Sequence, residues 1–340
     1  MLSALLLAAV VDLSSELKTA AEAAHVPAMQ ATVVRAEGII AHGSYGAAIG
    51  EAFHIGSCTK PFTATLAAML VEQKKLTWET RIVDIFPEWK SVIRPDYADV
   101  TLADLLSHEA GLPEFGEEEE FAHIPDFKGD SSARLRQFAR YALSQPPVVK
   151  PRTATKYSNA GYDVAAAMIE RVSGRSWESL LRTRIFQPLG LTTAGIGWPA
   201  KVWGHEWDGT RLVAVDPHGQ YQLPDYIRAS GDLHMSSDDL ALFLRAHLRA
   251  LRGERTLVSP ATAALMHTKR LKSGLGFGVN NEVKLAPLST HSGSADTFYT
   301  VIAIAPKFNV AAVVQTNAAG ESAQKAVGRI LMEFLGQYAQ

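Results

Sequence analysis

Strand-like segments lie at both ends of this sequence, and helix-like segments fill its middle. Short β-rich runs predict strands within 26–56 and again over 274–317, whereas apolar residues recur at helical spacing over much of 65–235. The simplest fold joins the two ends in one antiparallel sheet. We therefore expect a discontinuous α/β (α+β) domain built from 12–64 and 236–340, with a mainly helical insertion domain over 65–235.

Two amphipathic segments are expected to cover this sheet. The apolar spacing predicts a helix over Asp12–Ala24 and another over Glu321–Leu335, and both would pack on one sheet face.

A chain of 340 residues is long enough for a sheet domain and a helical domain. Ser57 then lies where the sheet domain meets the helical domain, which is a usual place for a pocket.

Charge and cysteine content exclude several classes of protein. The net charge is −2 and no Lys/Arg cluster is present, which argues against a nucleic-acid-binding protein. Cys58 is the single cysteine, so neither an intrachain disulfide nor a cysteine-based metal site is expected. No segment has the length and apolarity of a transmembrane helix. The sequence gives no prediction of oligomeric state.

The first eleven residues are apolar. Residues 1–11 resemble the apolar core of a secretory signal, but they lack a basic start and a clear cleavage site. One interpretation is a signal remnant, with a periplasmic or secreted protein. The other is a buried N-terminal helix turn in a cytoplasmic protein.

A serine followed three residues later by a lysine is the first candidate for chemistry. If Ser57 opens a helix, Lys60 falls on the same face and can reach the hydroxyl, which needs a partner to accept its proton. The start of a helix also offers N–H groups for an oxyanion. Pro61 disfavours helical geometry at Lys60, which weakens this argument. The alternative is a serine that caps a helix beside a solvated lysine.

Two further motifs accompany this pair. Lys156-Tyr157-Ser158-Asn159 precedes a predicted helix over 159–173, and His291-Ser292-Gly293-Ser294 lies on a late strand. In this order the three motifs resemble the S-x-x-K, Y-x-N and K/H-x-G elements of the serine β-lactamase and penicillin-binding-protein superfamily. The tyrosine version resembles the branch with class C β-lactamases, Streptomyces-type DD-carboxypeptidases, D-aminopeptidase and family VIII carboxylesterases.

The resemblance extends along most of the chain and implies roles for the motif residues. The segments 53–64, 105–113, 188–191 and 230–240 also have counterparts in that branch. The resemblance implies a nucleophile at Ser57, with Lys60 and Tyr157 sharing the proton transfers. Which of the two is the base stays open. Nearby cations, Lys60 and a protonated His291, would favour a Tyr157 phenolate.

The remaining motif residues would bind the substrate. The resemblance implies that Asn159 bonds Lys60 and the substrate, and that the N–H groups of Ser57 and Ser294, after Gly293, form the oxyanion hole. A buried turn tyrosine, a helix-capping Asn159 and a core His291 are the alternatives. Class C β-lactamases have lysine where this chain has His291, and histidine is only partly charged near neutral pH.

The predicted function is therefore a serine hydrolase without metal or organic cofactor. Its substrate would be a small molecule or peptide: a carboxylic ester or a D-amino-acid peptide or amide. A β-lactamase, or a penicillin-binding sensor with slow deacylation, is the alternative. His108 and Cys58 are expected to be packing residues. Aromatic residues of the irregular stretch 198–229 either line an acyl pocket or anchor the loop: Trp203, Trp207, Tyr221 and Tyr226.

Overall fold

The computed structural model describes residues 9–116, 118–121, 123–218 and 223–339. Its strands are β1 Val11–Asp12, β2 Met29–Val34, β3 Ile39–Tyr45, β4 Phe53–His54, β5 Gly195–Ile196, β6 His205–Trp207, β7 Leu212–Ala214, β8 Leu233–Met235, β9 Gly278–Asn280, β10 Leu288–Ser294, β11 Tyr299–Ala305 and β12 Val310–Thr316.

The helices form one long run between β4 and β5 and otherwise lie before, between or after the remaining strands. They are α1 Ser14–Ala24, α2 Lys60–Glu72, α3 Ile82–Ile85, α4 Leu102–Leu106, α5 Glu118–Phe121, α6 Ser131–Ala142, α7 Asn159–Ser173, α8 Trp177–Leu181, α9 Gln187–Leu189, α10 Arg228–Gly231, α11 Ser237–Leu251, α12 Pro260–Met266 and α13 Glu321–Tyr338. A 3₁₀ turn, Gly56–Thr59, leads directly into α2.

One seven-stranded sheet joins the two ends of the chain, as predicted. Its order is β1-β3-β2-β12-β11-β10-β9, and every pair is antiparallel except the short parallel contact of β1 with β3. The junction is the pairing of β12 with β2, in which Val313 faces Thr32 across the strands. The mixed α/β class with a mainly antiparallel sheet is therefore confirmed.

Helices cover both faces of this sheet, whereas the sequence assigned helices to one face only. Successive strand residues point to opposite faces, and in β12 Val313 joins the cluster with α2 and α11 while Val314 joins the cluster with α1 and α13. All seven residues of β12 are buried. The helix α11 therefore helps to cover the sheet face opposite α1 and α13, for which the sequence predicted no helix.

The domain boundaries at residues 64 and 236 stay a prediction. The larger apolar cluster includes Ile302 of the sheet, Phe62 of α2 and Met168 of α7, so it continues from the sheet into the helical region. Of the predicted N-terminal segment, residues 1–8 lie outside the described residues. Val11 is 45% exposed and pairs with Ala41, so the described part is not a buried helix turn. Within the described ranges no helix is long and apolar enough to cross a membrane.

A buried carboxylate within α4 holds this helix to two distant segments. Asp104 completes a capping box with Thr101 at the start of α4. Its carboxylate also accepts hydrogen bonds from Arg152 Nε at 2.9 Å and from Arg270 Nη2 at 3.1 Å. Arg152 precedes the tyrosine motif and Arg270 precedes β9, so Asp104 ties the helical region to the sheet edge.

We expect Asp104→Ala to lower the free energy of unfolding by about 2–3 kcal/mol, because two arginines and an N-cap lose their shared buried acceptor. Urea unfolding followed by circular dichroism measures this change. Asp84→Ala is the matched control, since its ion pair with Arg81 lies on the surface. Equal shifts of the unfolding midpoint in the two variants would contradict the structural role of Asp104.

Candidate active site

Ser57 lies in the 3₁₀ turn between β4 and α2, pressed against β10. The packing requires glycine on both sides of the contact. Gly56 has φ +50, and a Cβ there would lie 2.4 Å from the Ser294 carbonyl oxygen. A Cβ on Gly293 would lie 2.0 Å from the Ile55 carbonyl oxygen. The predicted helix start at Ser57 is therefore a 3₁₀ turn, and α2 begins at Lys60, where the dihedrals are helical despite Pro61.

Lys60 is fully buried and makes three polar contacts through its Nζ. They go to Ser57 Oγ at 3.0 Å, to Asn159 Oδ1 at 2.7 Å and to the Ser230 carbonyl oxygen at 2.8 Å. Burial lowers the pKa of Lys60 to about 7, and Asp163 opposes this shift. A substantial fraction of Lys60 is therefore the neutral amine near neutral pH, and the alternative of a solvated lysine is wrong.

The three contacts also fix where the amine lone pair points. The Asn159 oxygen and the Ser230 carbonyl can only accept hydrogen bonds. A neutral Lys60 has two N–H bonds, and these two acceptors take both. The lone pair is then left for Ser57 Oγ, so the hydroxyl proton of Ser57 points at Lys60.

Tyr157 contacts the other side of the serine hydroxyl. Its Oη donates to Ser57 Oγ at 2.7 Å, and the Lys60 Nζ lies 4.7 Å from the centre of its ring. Burial raises the pKa of Tyr157 above its usual value, and the bond to Ser57 only partly offsets this. The expected phenolate is therefore wrong for this resting arrangement, because desolvation outweighs the nearby cation.

Asn159 is not the helix cap. Ser158 caps α7, with its side chain accepting from the Gly161 N–H. This leaves the Asn159 side chain to point into the site, where Nδ2 donates to the Phe115 carbonyl and Oδ1 accepts from Lys60. The predicted contact of Asn159 with Lys60 is present.

His291 lies beside this group on β10, partly exposed, and its lowered pKa favours the neutral ring. Its Nδ1 donates to the Ser292 carbonyl at 2.8 Å, and burial together with Lys60 lowers its pKa to about 3. A protonated His291 is therefore absent near neutral pH, which corrects the second cation of the phenolate argument. The exposed Ser294 follows Gly293 at the end of the strand and lines the same cavity as Ser57.

Two cavities lie beside this group. The larger, of about 550 Å³, is lined by Ser57, Asn159 and Ser294 and by the apolar Phe115 and Leu223. The smaller, of about 230 Å³, is lined in part by Tyr157 and His291 and not by Ser57. Of the two, the larger is therefore the cavity into which the serine opens.

The two tryptophans for which a pocket role and a loop-anchoring role were both open do not line these cavities. Neither Trp203 nor Trp207 is among the described residues that line these two cavities, and Trp207 is 65% exposed. Tyr226 packs against Phe127 and Phe138 in the cluster that also contains Phe115 and Leu223 of the larger cavity, but Tyr226 does not itself line that cavity. Tyr221 lies outside the described residues.

The support that His108 gives to the tyrosine motif was not predicted from the sequence. Its ring stacks on Tyr157 with centroids 4.5 Å apart, and its Nδ1 accepts from the Ser158 N–H at 3.1 Å. Its carbonyl accepts from the Lys156 N–H at 2.8 Å. His108 therefore holds the tyrosine motif from both sides. Its position in the Leu105–Pro113 signature was the available signal.

Two more neighbours of Lys60 were also missed. The Ser230 carbonyl is a backbone atom and has no side-chain signature in the sequence. Asp163 lies one turn after Asn159 on α7 and is fully buried, and neither of its oxygens has a well-formed hydrogen bond. Burial raises its pKa to about 8, while Lys60 and the N–H groups of Ala229 and Ser230 act to lower it. Cys58 is buried beside β10, as expected.

The sequence model of the family described as Beta-lactamase matches residues 13–335. The chain belongs to this family. Within the residues that the structure describes, no group of three or more candidate ligands could hold a metal ion.

Similar proteins lie at low identity. The chain is 27% identical to penicillin-binding protein 4 of Amycolatopsis lactamdurans, over 89% of this chain and 82% of that protein. It is 26% identical to an unguisins hydrolase of Aspergillus campestris over 90% of this chain, but spans only 61% of that relative. Several of the other similar proteins are also spanned over less than two thirds of their length.

Two solved structures share the fold. The octameric penicillin-binding protein homologue from Pyrococcus abyssi superposes with a TM-score of 0.78 at 24% identity, covering 95% of this chain and 76% of that one. A D-stereospecific amidohydrolase from Streptomyces has a TM-score of 0.76 at 21% identity, covering 93% and 98%. At these identities the likeness establishes the fold alone.

Proposed function

We propose that this β-lactamase-family chain is a serine hydrolase that forms an acyl-enzyme on Ser57 and cleaves a carboxylic ester or a D-amino-acid peptide or amide. One observation carries the proposal. The Ser57 hydroxyl lies at the mouth of a cavity between Lys60 Nζ at 3.0 Å and Tyr157 Oη at 2.7 Å. A serine hydroxyl becomes a nucleophile when a neighbouring base accepts its proton.

The geometry favours Lys60 as that base. Its pKa of about 7 leaves a neutral amine near neutral pH, with the lone pair directed at Ser57 Oγ. In acylation the Ser57 proton moves to Lys60 while Oγ bonds to the substrate carbonyl carbon. The N–H groups of Ser57 and Ser294 would hold the oxyanion in a fixed position.

Tyr157 would then deliver a proton to the leaving group. A tyrosine with a raised pKa keeps its proton at rest and is a donor, not a base. As the carbonyl–leaving-group bond breaks, Tyr157 protonates the departing oxygen or nitrogen and recovers a proton from the Lys60 ammonium. In deacylation a water adds to the acyl carbon, its proton passes to the same pair, and Ser57 Oγ leaves protonated.

The uncharged His291 favours esters and amides over β-lactams. A β-lactam carries a carboxylate, which a fixed cation binds well. With a pKa of about 3, His291 supplies none near neutral pH. The names of the penicillin-binding relatives still support a slowly deacylating penicillin binder as the second candidate.

Mass spectrometry after incubation with a fluorophosphonate, a penicillin and a p-nitrophenyl ester tests the proposal. We expect a fluorophosphonate adduct on Ser57 and turnover of the ester. Ser57→Ala should abolish both, and Tyr157→Phe should slow ester turnover about 100-fold or more because the proton donor is lost. Tyr141→Phe is the control, since that hydroxyl bonds the His123 carbonyl away from the site.

The same experiment separates the alternatives. A penicillin adduct that persists for hours without product release would support the binder instead of the hydrolase. No adduct on Ser57 with any of the three probes would overturn the proposed nucleophile.

A further inference from the structure

A buried chain of hydrogen bonds runs from α2 to β10, outside the candidate active site. Thr65 Oγ1 contacts His247 Nε2 at 3.1 Å, His247 Nδ1 contacts His267 Nε2 at 3.1 Å, and His267 Nδ1 contacts Ser289 Oγ at 2.8 Å. The exposed fraction is 7% for His267 and smaller for the other three side chains. The proposed hydrolase mechanism uses none of these four residues.

The direction of every proton in this chain follows from its first member. The only hydroxyl proton of Thr65 goes to the Pro61 carbonyl at 2.7 Å. Thr65 must therefore accept from His247 Nε2–H, which leaves Nδ1 of a neutral His247 as an acceptor. His267 then donates through Nε2–H, and its Nδ1 accepts the proton of Ser289. Burial, with His247 adding to the shift for His267, lowers the pKa of both histidines.

The Ser289 end of the chain opens into a cavity that carries positive charge. This cavity has a volume of about 650 Å³, and His267 and Ser289 form part of its wall. Arg252, Lys269 and Lys307 also line it, and no carboxylate is among its described lining residues. Glu37 is an acidic neighbour of Arg252: its own backbone N–H, Asn309 and Arg252 together lower its pKa.

We propose that this cavity binds a small oxyanion, of the carboxylate, sulfate or phosphate type. Three cations attract the anion. Before an anion binds, however, Ser289 donates its hydroxyl proton to His267 and presents only lone pairs to the cavity. Binding therefore takes up one proton from solvent at His267 Nδ1. The imidazolium then donates to Ser289 Oγ, and the Ser289 hydroxyl turns to donate to the anion.

With and without the anion, every polar side-chain atom from Thr65 to Ser289 in this chain of hydrogen bonds keeps a partner. If the Ser289 proton simply rotated toward the anion, His267 Nδ1 would be a buried acceptor without a donor, which is costly. Proton uptake removes that cost, and the anion offsets the new positive charge beside three existing ones. Of the groups packed on His267, His247 of α11 stays neutral and Phe277 stacks on its ring at 4.2 Å.

Nuclear magnetic resonance of the full chain labelled with ¹⁵N-histidine tests the inference, with sodium sulfate as the probe at constant ionic strength. Without sulfate we expect His247 and His267 both in the Nε2–H form. Sulfate should shift the His267 signals saturably, and bind about tenfold or more tightly near pH 5.5 than near pH 8, because binding takes up a proton. Ser289→Ala should weaken the binding and remove most of its pH dependence.

Charge-matched variants decide whether the cavity is the site. Arg252→Gln/Lys307→Gln should abolish the saturable shift, whereas Lys90→Gln/Lys150→Gln removes two exposed cations elsewhere and should retain it. A His267 Nδ1–H tautomer, a shift that survives in the Arg252→Gln/Lys307→Gln variant, or an affinity independent of pH would each overturn the proposal. Ester hydrolysis plays no part in these readouts, so failure here leaves the proposed function untouched.

Discussion

Replacing Lys60 with Met will lower kcat/KM for a p-nitrophenyl ester by about 10³- to 10⁴-fold, because the base for Ser57 is lost. Lys60→Arg should be almost as inactive, since a guanidinium keeps the charge but stays protonated at any pH of the assay. The comparison separates a base from a mere cation. Stopped-flow acylation rates measure both variants, with thermal unfolding as the check that each is folded. An Arg variant with near-normal acylation would contradict the assignment.

The same assignment fixes the sign of the pH dependence. The neutral amine is the active form, so kcat/KM should rise with pH through about 7, the pKa of Lys60, and level off above it. Asp163, whose own pKa is about 8, is only partly ionised in this range, and its ionised form favours the Lys60 ammonium and so raises the pKa of Lys60. Asp163→Asn should therefore move the rising limb to lower pH. A limb that stays in place, or moves to higher pH, would show that Asp163 does not set the protonation of Lys60.

The architecture could be predicted because the spacing of apolar residues along the sequence matches the helices and strands that bury them. The helix α7 begins and ends where it was predicted, at Asn159 and Ser173. The antiparallel joining of the two chain ends followed from strand-like segments at both ends of a sequence whose middle is mainly helical. The second helical layer did not follow, because β12 is apolar on both faces and such a run does not say what covers each face.

The identities of the site residues could be predicted, but their protonation could not. Ser57, Lys60, Tyr157 and Asn159 converge as the motifs implied. Charge counting along the sequence suggested a phenolate. Full burial of Lys60 reverses this, because desolvation disfavours a charged amine and a charged phenol alike. Burial depends on the packing of segments about a hundred residues apart, which a local motif does not contain.

Contacts made by backbone atoms and by neighbouring rings could not be predicted from the sequence either. The Ser230 carbonyl fixes one N–H of Lys60, yet any residue type could supply a carbonyl there. His108 supports Tyr157 by stacking and by two backbone hydrogen bonds. These supports place the reacting atoms, so a substitution that shifts their placement should lower the rate without removing any reacting group.

Gly293→Ala should lower kcat/KM about 100-fold or more while the protein remains folded. A Cβ at this position would lie 2.0 Å from the Ile55 carbonyl oxygen and 2.7 Å from the Ser57 amide nitrogen. Strand β10 must therefore move away from the 3₁₀ turn, which separates the Ser57 and Ser294 N–H groups proposed to hold the oxyanion. A misplacement of about 1 Å is enough for such a loss. Steady-state ester kinetics give the size of the effect.

Gly328→Ala provides the matched control, because a Cβ there meets nothing within 4 Å on α13. We expect that variant to keep full activity and to be stabilised by about 0.5–1 kcal/mol, since alanine suits a helix interior better than glycine.

In Gly293→Ala the loss should appear in kcat more than in KM, because the N–H groups of the oxyanion hole bind the developing charge and not the ground-state carbonyl. Wild-type kinetics in Gly293→Ala would mean that β10 does not contribute to the oxyanion site, even if Ser57 remains the nucleophile.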